Sequence, residues 1–280
     1  MTHTPTSHNN IMTATILGCG ASAGVPRLGG KNGCGDWGNC DPSEPRNTRS
    51  RCSMLIEKHN PNGGAPTRVL IDPSPDLRTQ LLKAEVASLD GVLVSHEHAD
   101  HIHGIDDLRA IVHNIDLEYL PLWAGEFTSS KLMQRFGYLF KDIGLYRQLL
   151  TMHTMTADDT ITIAGHKDTI DITPHSVIHG SVETFGFHAG NMLYTPDIGE
   201  ISQSIWDVLK NCDYWVVDCL RVDPHPTHSH LSQTLQWIEQ SGVKKAILTN
   251  MHSDLDYQHL ISVLPHNIIP AYDGLSFSIT

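Results

Sequence analysis

The sequence predicts an α+β domain in which two β-sheets pack face to face and helices cover their outer faces. Three observations predict it. Short β-rich segments and helical patterns share the 280 residues with no internal repeat and no low-complexity linker. Hairpin-like strands follow one another along part of the chain, and strand–helix alternation takes over at both ends of that core. A composition that is 40% hydrophobic and 18% charged can bury a sizeable interior. One domain over 1–280 accommodates all of this.

Taken in order, β-branched and apolar runs place strands at 13–17, 52–57, 68–71 and 91–94. Further strands are expected at 160–163, 169–173, 183–188 and 191–194, then at 214–218, 246–248 and 275–279. Apolar residues at helical spacing predict helices over 76–84, 102–113, 129–136, 201–211, 231–241 and 257–264. The stretch 18–50 is rich in Gly, Pro, Asn and Arg and reads as loop. A loop of that length inside a compact domain is either functional or clamped in place.

Acidic residues outnumber basic ones by 31 to 19, a formal charge of −12. That balance opposes non-specific contact with nucleic acid or an anionic membrane. The polar opening MTHTPTSHNNIM lacks a charged-then-apolar leader pattern, and no apolar run approaches a membrane span. A cytoplasmic protein with residues 1–11 as a flexible tail is expected, and Met12 is an alternative start. The six cysteines do not resemble a secreted disulfide framework, so reduced thiols are expected. The distinctive count is 19 histidines, the residue best suited to metal ligation and proton transfer near neutral pH. Scattered ones such as His3, His8, His59 and His153 read as surface residues.

The strongest motif is Val92-Leu93-Val94-Ser95-His96-Glu97-His98-Ala99-Asp100-His101, an apolar strand running into four candidate ligands. In an extended segment His96 and His98 point to the same side. Asp100 and His101 fall where the chain turns into a helix. Two imidazoles can hold one metal while the carboxylate and third imidazole reach a neighbour. Imidazole with carboxylate suits zinc, manganese or iron. Glu97 and His103 read as bystanders.

This His-x-His-x-Asp-His motif resembles the signature of the metallo-β-lactamase superfamily, which implies a four-layer αββα sandwich and further ligands in a fixed order. Its next histidine is matched by His179, which precedes Gly180, with His175 as the alternative. Its bridging aspartate is matched by Asp197 in Tyr194-Thr195-Pro196-Asp197. Its last histidine, after a late strand, is matched by His252. The resemblance thus implies two divalent ions, zinc or manganese. His96, His98 and His179 would hold one, Asp100, His101 and His252 the other, and Asp197 would bridge them. Asp72 resembles the family's aspartate beneath the site, which orients a ligand histidine. Diiron oxygen-reducing relatives carry a carboxylate where this chain has His98, and they bring a flavin domain; hydrolysis is therefore favoured.

The Gly-rich opening 18–27 and the run Asp100-His101-Ile102-His103-Gly104 through Arg109 resemble the phosphodiesterase branch. That branch includes tRNA 3′-end processing nucleases and the cyclic-phosphate phosphodiesterase of phosphonate breakdown. A histidine between the bridging aspartate and the last ligand donates a proton to the leaving oxygen there. Register with Leu231 and Leu235 favours His228, with His225 and His230 as alternatives. The implied reaction is attack of a metal-bridging hydroxide on a small or cyclic phosphodiester, with His228 as proton donor. Thioester or other acyl hydrolysis, a tRNA 3′-processing-like nuclease and a non-catalytic metal-binding protein are the alternatives. No long RNA-gripping arm is evident, so nucleic acid is not an expected partner, and a homodimer is left open. Arg49 and Arg51 are candidates for holding a terminal phosphate. Cys34 and Cys40, with five residues between them, are candidates for a structural zinc, although the spacing is not that of a zinc finger.

Overall fold

The computed structural model describes residues 12–60, 63–114, 118–145 and 147–280. The proposed tail 1–11 lies outside them. The first half of the chain forms β1 (Met12–Gly18), β2 (Ser53–Lys58), β3 (Thr67–Ile71), α1 (Leu77–Lys83), β4 (Gly91–Val94) and α2 (Ala99–Ile102). It continues through α3 (Leu108–Asn114), β5 (Leu120–Ala124), α4 (Glu126–Phe136) and β6 (Leu150–Thr154). The second half begins with β7 (Ile161–Ala164), β8 (Thr169–His179), β9 (Val182–Ala189), β10 (Met192–Thr195) and α5 (Gln203–Leu209). It ends with β11 (Tyr214–Asp218), α6 (Leu231–Ser241), β12 (Lys245–Thr249), α7 (Tyr257–Val263), β13 (Ile268–Pro270) and β14 (Leu275–Ile279).

The strands make two sheets, ordered β14-β1-β2-β3-β4-β5-β6 and β13-β12-β11-β10-β9-β8-β7. Each is antiparallel at one end and parallel at the other: β3 to β6 run parallel in the first, β10 to β13 in the second. Alternation along the strands sorts their side chains into layers. Met54, Ile56, Val69, Ile71 and Leu93 face the core between the sheets. Leu55, Leu70, Val92 and Val94 pack instead with Leu77, Leu81, Ile102, Leu108 and Leu132 of the helices. The helices of the second half cover the other sheet through residues such as Ile205, Leu209, Ile238 and Leu260. The order is therefore helix, sheet, sheet, helix, as expected.

Local signals explain the helix ends. Ser202 Oγ accepts from Ile205 N at the start of α5, and Asp256 Oδ1 accepts from His259 N at the start of α7. Gly242, at φ 68°, takes the left-handed position that ends α6. The helix expected over 102–113 is broken. Gly104 lies so close to the 73–76 turn that a Cβ there would sit 1.9 Å from Ser74 O, and α2 stops before it.

The stretch 19–52 is loop apart from short 3-10 turns at Lys31–Gly33 and Pro45–Asn47 and isolated bridges. Arg49 clamps it. The side chain is buried and donates to Leu255 O at 2.7 Å and His252 O at 3.3 Å. That employment removes Arg49 from the proposed phosphate role. All six cysteines are free thiols, and among the described residues no helix is long and apolar enough to cross a membrane.

Candidate metal centre

Most groups of the centre sit at or just past the carboxyl ends of β3, β4, β8 and β10. β4 delivers Ser95 and His96, both fully buried. Asp72, just past β3, accepts from Ser95 N and Ser95 Oγ at 2.7 Å each. The same carboxylate is 2.8 Å from His101 Nδ1, so it fixes the β4 turn and aims His101 together. Ser95 Oγ also lies 2.9 Å from His96 Nδ1.

The second sheet supplies the opposing wall. His179 closes β8, and its Nδ1 donates to Thr227 O at 2.9 Å. Asp197 follows β10 and is almost wholly buried. With the Nδ1 atoms of His96, His101 and His179 all engaged, their Nε2 atoms converge on Asp197. His96 and His179 lie 3.5 and 3.7 Å from Oδ2, and His101 lies 3.3 Å from Oδ1. Imidazoles held by one nitrogen and presenting the other are the usual preparation for metal ligation.

The ligand atoms of His96, His98, His179 and Asp197 all lie within 4.8 Å of one another, the one such cluster among the described residues. Burial, then the neighbouring imidazoles, push His96 well below the ordinary histidine range, which keeps it a neutral ligand. Burial works against ionising Asp197, yet the charge of His101 and a hydrogen bond from it hold Asp197 well below the usual carboxylate range. His101 Nε2 is buried without a hydrogen-bond partner. An orphaned imidazole nitrogen among carboxylates fits a cation there. Asp100 Oδ2 lies 3.6 Å from that nitrogen.

His228 adjoins this cluster. Its Nδ1 donates to the fully buried Asp218 Oδ2 at 2.8 Å, and its Nε2 is 4.0 Å from Asp197 Oδ2. Burial would lower its pKa, but the bond to Asp218 outweighs burial and raises it to about 9. Of the two alternatives, His225 has its ring 5.0 Å from His228 and accepts from Thr227 N, while His230 precedes α6 and contacts Ser232.

Several candidates fall elsewhere. His252 leaves the cluster: its Nε2 lies 3.1 Å from Arg27 Nη1 and its Nδ1 3.1 Å from Asp254 Oδ1. Asn250, at φ 57° just past β12, faces the site instead and donates from Nδ2 to Asp197 Oδ1 at 3.1 Å. His175 pairs with Asp158 at 2.6 Å. Cys34 is exposed and contacts Asn32 O, whereas Cys40 is buried beside Arg49. Sequence reasoning missed Asp218, Asn250 and Arg27. For Asp218 a signal existed, an acid closing the apolar strand Tyr214-Trp215-Val216-Val217.

A cavity of about 800 Å³ opens beside Asp100, lined in part by Arg27, Arg51, Asp36 and Ala99. Arg27 pairs with Asp36, and Arg51 lies 3.0 Å from Asp76.

The family described as the beta-lactamase superfamily domain matches residues 67–251. An octanoyltransferase of Porphyromonas gingivalis is 32% identical over 94% of this chain. The chain spans about half of that relative, 51% of its length. Among solved structures, a new diphosphatase from the PhnP family is 31% identical, with a TM-score of 0.83 over 96% of this chain and 98% of that one. Zn(2+)-bound PqqB from Methylobacterium extorquens shares the fold at 17% identity, with a TM-score of 0.71 over 95% and 99% of the two chains.

Proposed function

The chain belongs to the beta-lactamase superfamily, and from that premise we propose that it is a metal-dependent phosphodiesterase acting on a small or cyclic phosphodiester. Metal-dependent hydrolysis is the chemistry that the fold and the His/Asp cluster support. His96, His98, His179 and Asp197 would hold one ion, with Asp100 and His101 facing the space for another. Zinc or manganese suits such donors. Bound there, divalent ions supply positive charge for phosphoryl oxygens and acidify water.

The observation that carries the phosphodiester reading is the Asp218–His228 pair. Asp218 fixes the tautomer and rotation of His228, so that Nε2 is the nitrogen turned toward Asp197. An imidazole so held, and kept protonated by a buried carboxylate, is a proton donor for a leaving alkoxide. Arg27 and Arg51 place cationic groups in the adjoining cavity, where a second anionic group of a small substrate would lie. A formal net charge of −12 opposes sequence-independent attraction for nucleic acid.

The test is hydrolysis of bis-p-nitrophenyl phosphate by protein reconstituted with zinc or manganese. Parallel arms use the monoester p-nitrophenyl phosphate and an octanoyl thioester, the latter because one relative is named for octanoyl transfer. Diester turnover that is lost in both Asp197→Ala and His228→Ala is the expected result. Thioester turnover without diester turnover would move the chain to acyl chemistry.

A further inference from the structure

Asp197 divides the centre into two unlike halves. Its Oδ2 looks toward the imidazoles of His96 and His179, with His98 completing that group. Its Oδ1 looks toward His101 and Asn250. On this second side the donors are the Asp100 carboxylate, one imidazole and a neutral amide. Family resemblance implies a second histidine ligand there, yet His252 is turned onto Arg27 and Asp254.

The exchange of imidazole for amide matters chemically. An amide nitrogen has no lone pair for a metal, and as a hydrogen-bond donor it occupies Asp197 Oδ1. Its oxygen, if rotated inward, is a weak neutral ligand of the kind that suits hard cations. Imidazole-rich sets favour zinc, whereas carboxylate and carbonyl oxygens suit magnesium or manganese. The buried, unpartnered Nε2 of His101 remains a ligand atom aimed into the second side.

We infer that the two halves bind metal unequally. His96, His98, His179 and Asp197 hold one zinc-type ion firmly. Asp100, His101 and Asp197, with Asn250 beside them, hold an exchangeable hard cation. This inference concerns the same centre as the proposed activity but is read without substrate. Absence of diester turnover leaves it standing, and equal metal binding leaves the proposed activity standing.

The experiment measures zinc per chain by mass spectrometry after loading with zinc and dialysis against zinc-free buffer, then titrates manganese by electron paramagnetic resonance. Wild type is expected to retain about one zinc and to bind manganese more weakly. Asn250→His should retain a second zinc or bind the second ion roughly tenfold more tightly, the scale on which changes around a metal site act. His252→Ala should match wild type. Histidine is among the residues that accept a left-handed backbone such as that at position 250. Should Asn250→His fail to fold by circular dichroism, Asn250→Asp, which adds a carboxylate, must tighten manganese binding. Two zinc ions retained equally by wild type, no gain in a folded Asn250 variant, or loss of an ion in His252→Ala would each overturn the inference.

Discussion

Asp218 shows how much one buried carboxylate can decide. It cannot reach water and touches the reaction only through His228 Nδ1 and through Ile198 N, which it accepts at 3.1 Å. Removing the imidazole itself should lower kcat by about 10²–10⁴-fold, the usual contribution of a positioned acid or base. Asp218→Asn keeps the shape and removes the charge, so it tests positioning. As proton donor, His228 acts in its protonated form, and the rate falls as pH rises through its pKa. Asp218 raises that pKa, so the Asn variant should move the alkaline fall of kcat/KM to lower pH. A merely structural Asp218 would lower the rate at every pH and leave the profile where it was. Of the centre's residues, those in the 92–101 motif were legible because consecutive ligands on a strand end stand out in any sequence. Asn250 was not, because an asparagine two positions before a histidine carries no chemical signal. Asn250 takes a left-handed backbone and faces Asp197, a placement seen only in the folded chain.

At the scale of elements, the break after α2 holds the first sheet's ligands in place. Gly104 N donates to Pro73 O at 2.9 Å, which presses the α2 end onto the turn that follows Asp72. Gly104→Ala must displace that turn, because the new Cβ would sit 1.9 Å from Ser74 O. Overpacking of this kind costs about 1–3 kcal/mol, measurable by denaturant melts. Since Asp72 aims His101, metal affinity should fall as well, by roughly 10–100-fold. Gly137 provides the contrast: a Cβ there meets nothing within 4 Å, and its φ of −54° suits any residue. Gly137→Ala should change stability by no more than about 1 kcal/mol. Equal losses in the two variants would remove the close approach at Gly104 as the cause.

Two of the strands that sequence patterning overlooked, and one that it ended too early, contain proline. β5 contains Pro121, β13 ends in Pro270, and β8 runs on through Pro174 to His179 although patterning ended it at 173. Proline argues against an interior strand because it lacks an N–H. At Pro174 the argument does not apply. β7 pairs only with Thr169–Ile172, and Pro174 O accepts from Asp158 N on the side away from β9. N and O of one strand residue point the same way, so the missing donor faces no ladder. β6 contains no proline, and sequence patterning gives no comparable account of why it was overlooked.

For the whole molecule, the consequence is that the centre joins the two sheets. His96 and His98 come from the first sheet's β4 end, whereas His179 and Asp197 come from the β8 and β10 ends of the second. The apolar core between the sheets already holds them, but an ion at this seam adds ligation that the unfolded chain cannot offer in the same geometry. Binding to the folded state alone stabilises it by about 2.7 kcal/mol at a free concentration one hundred times Kd. For a chain of this size that corresponds to roughly 5 °C in Tm. Zinc-loaded protein should therefore melt higher than chelator-treated protein by about that margin, read by scanning calorimetry. Asp197→Ala should lose most of the metal-dependent increment, because it removes the carboxylate that lies within 3.7 Å of the inward nitrogens of His96, His101 and His179. Asp106→Ala, on the exposed rim beside Arg109, should keep it whole. An increment that survives in the Asp197 variant would mean that zinc stabilises the chain from some other place, and that the seam between the sheets is closed by packing alone.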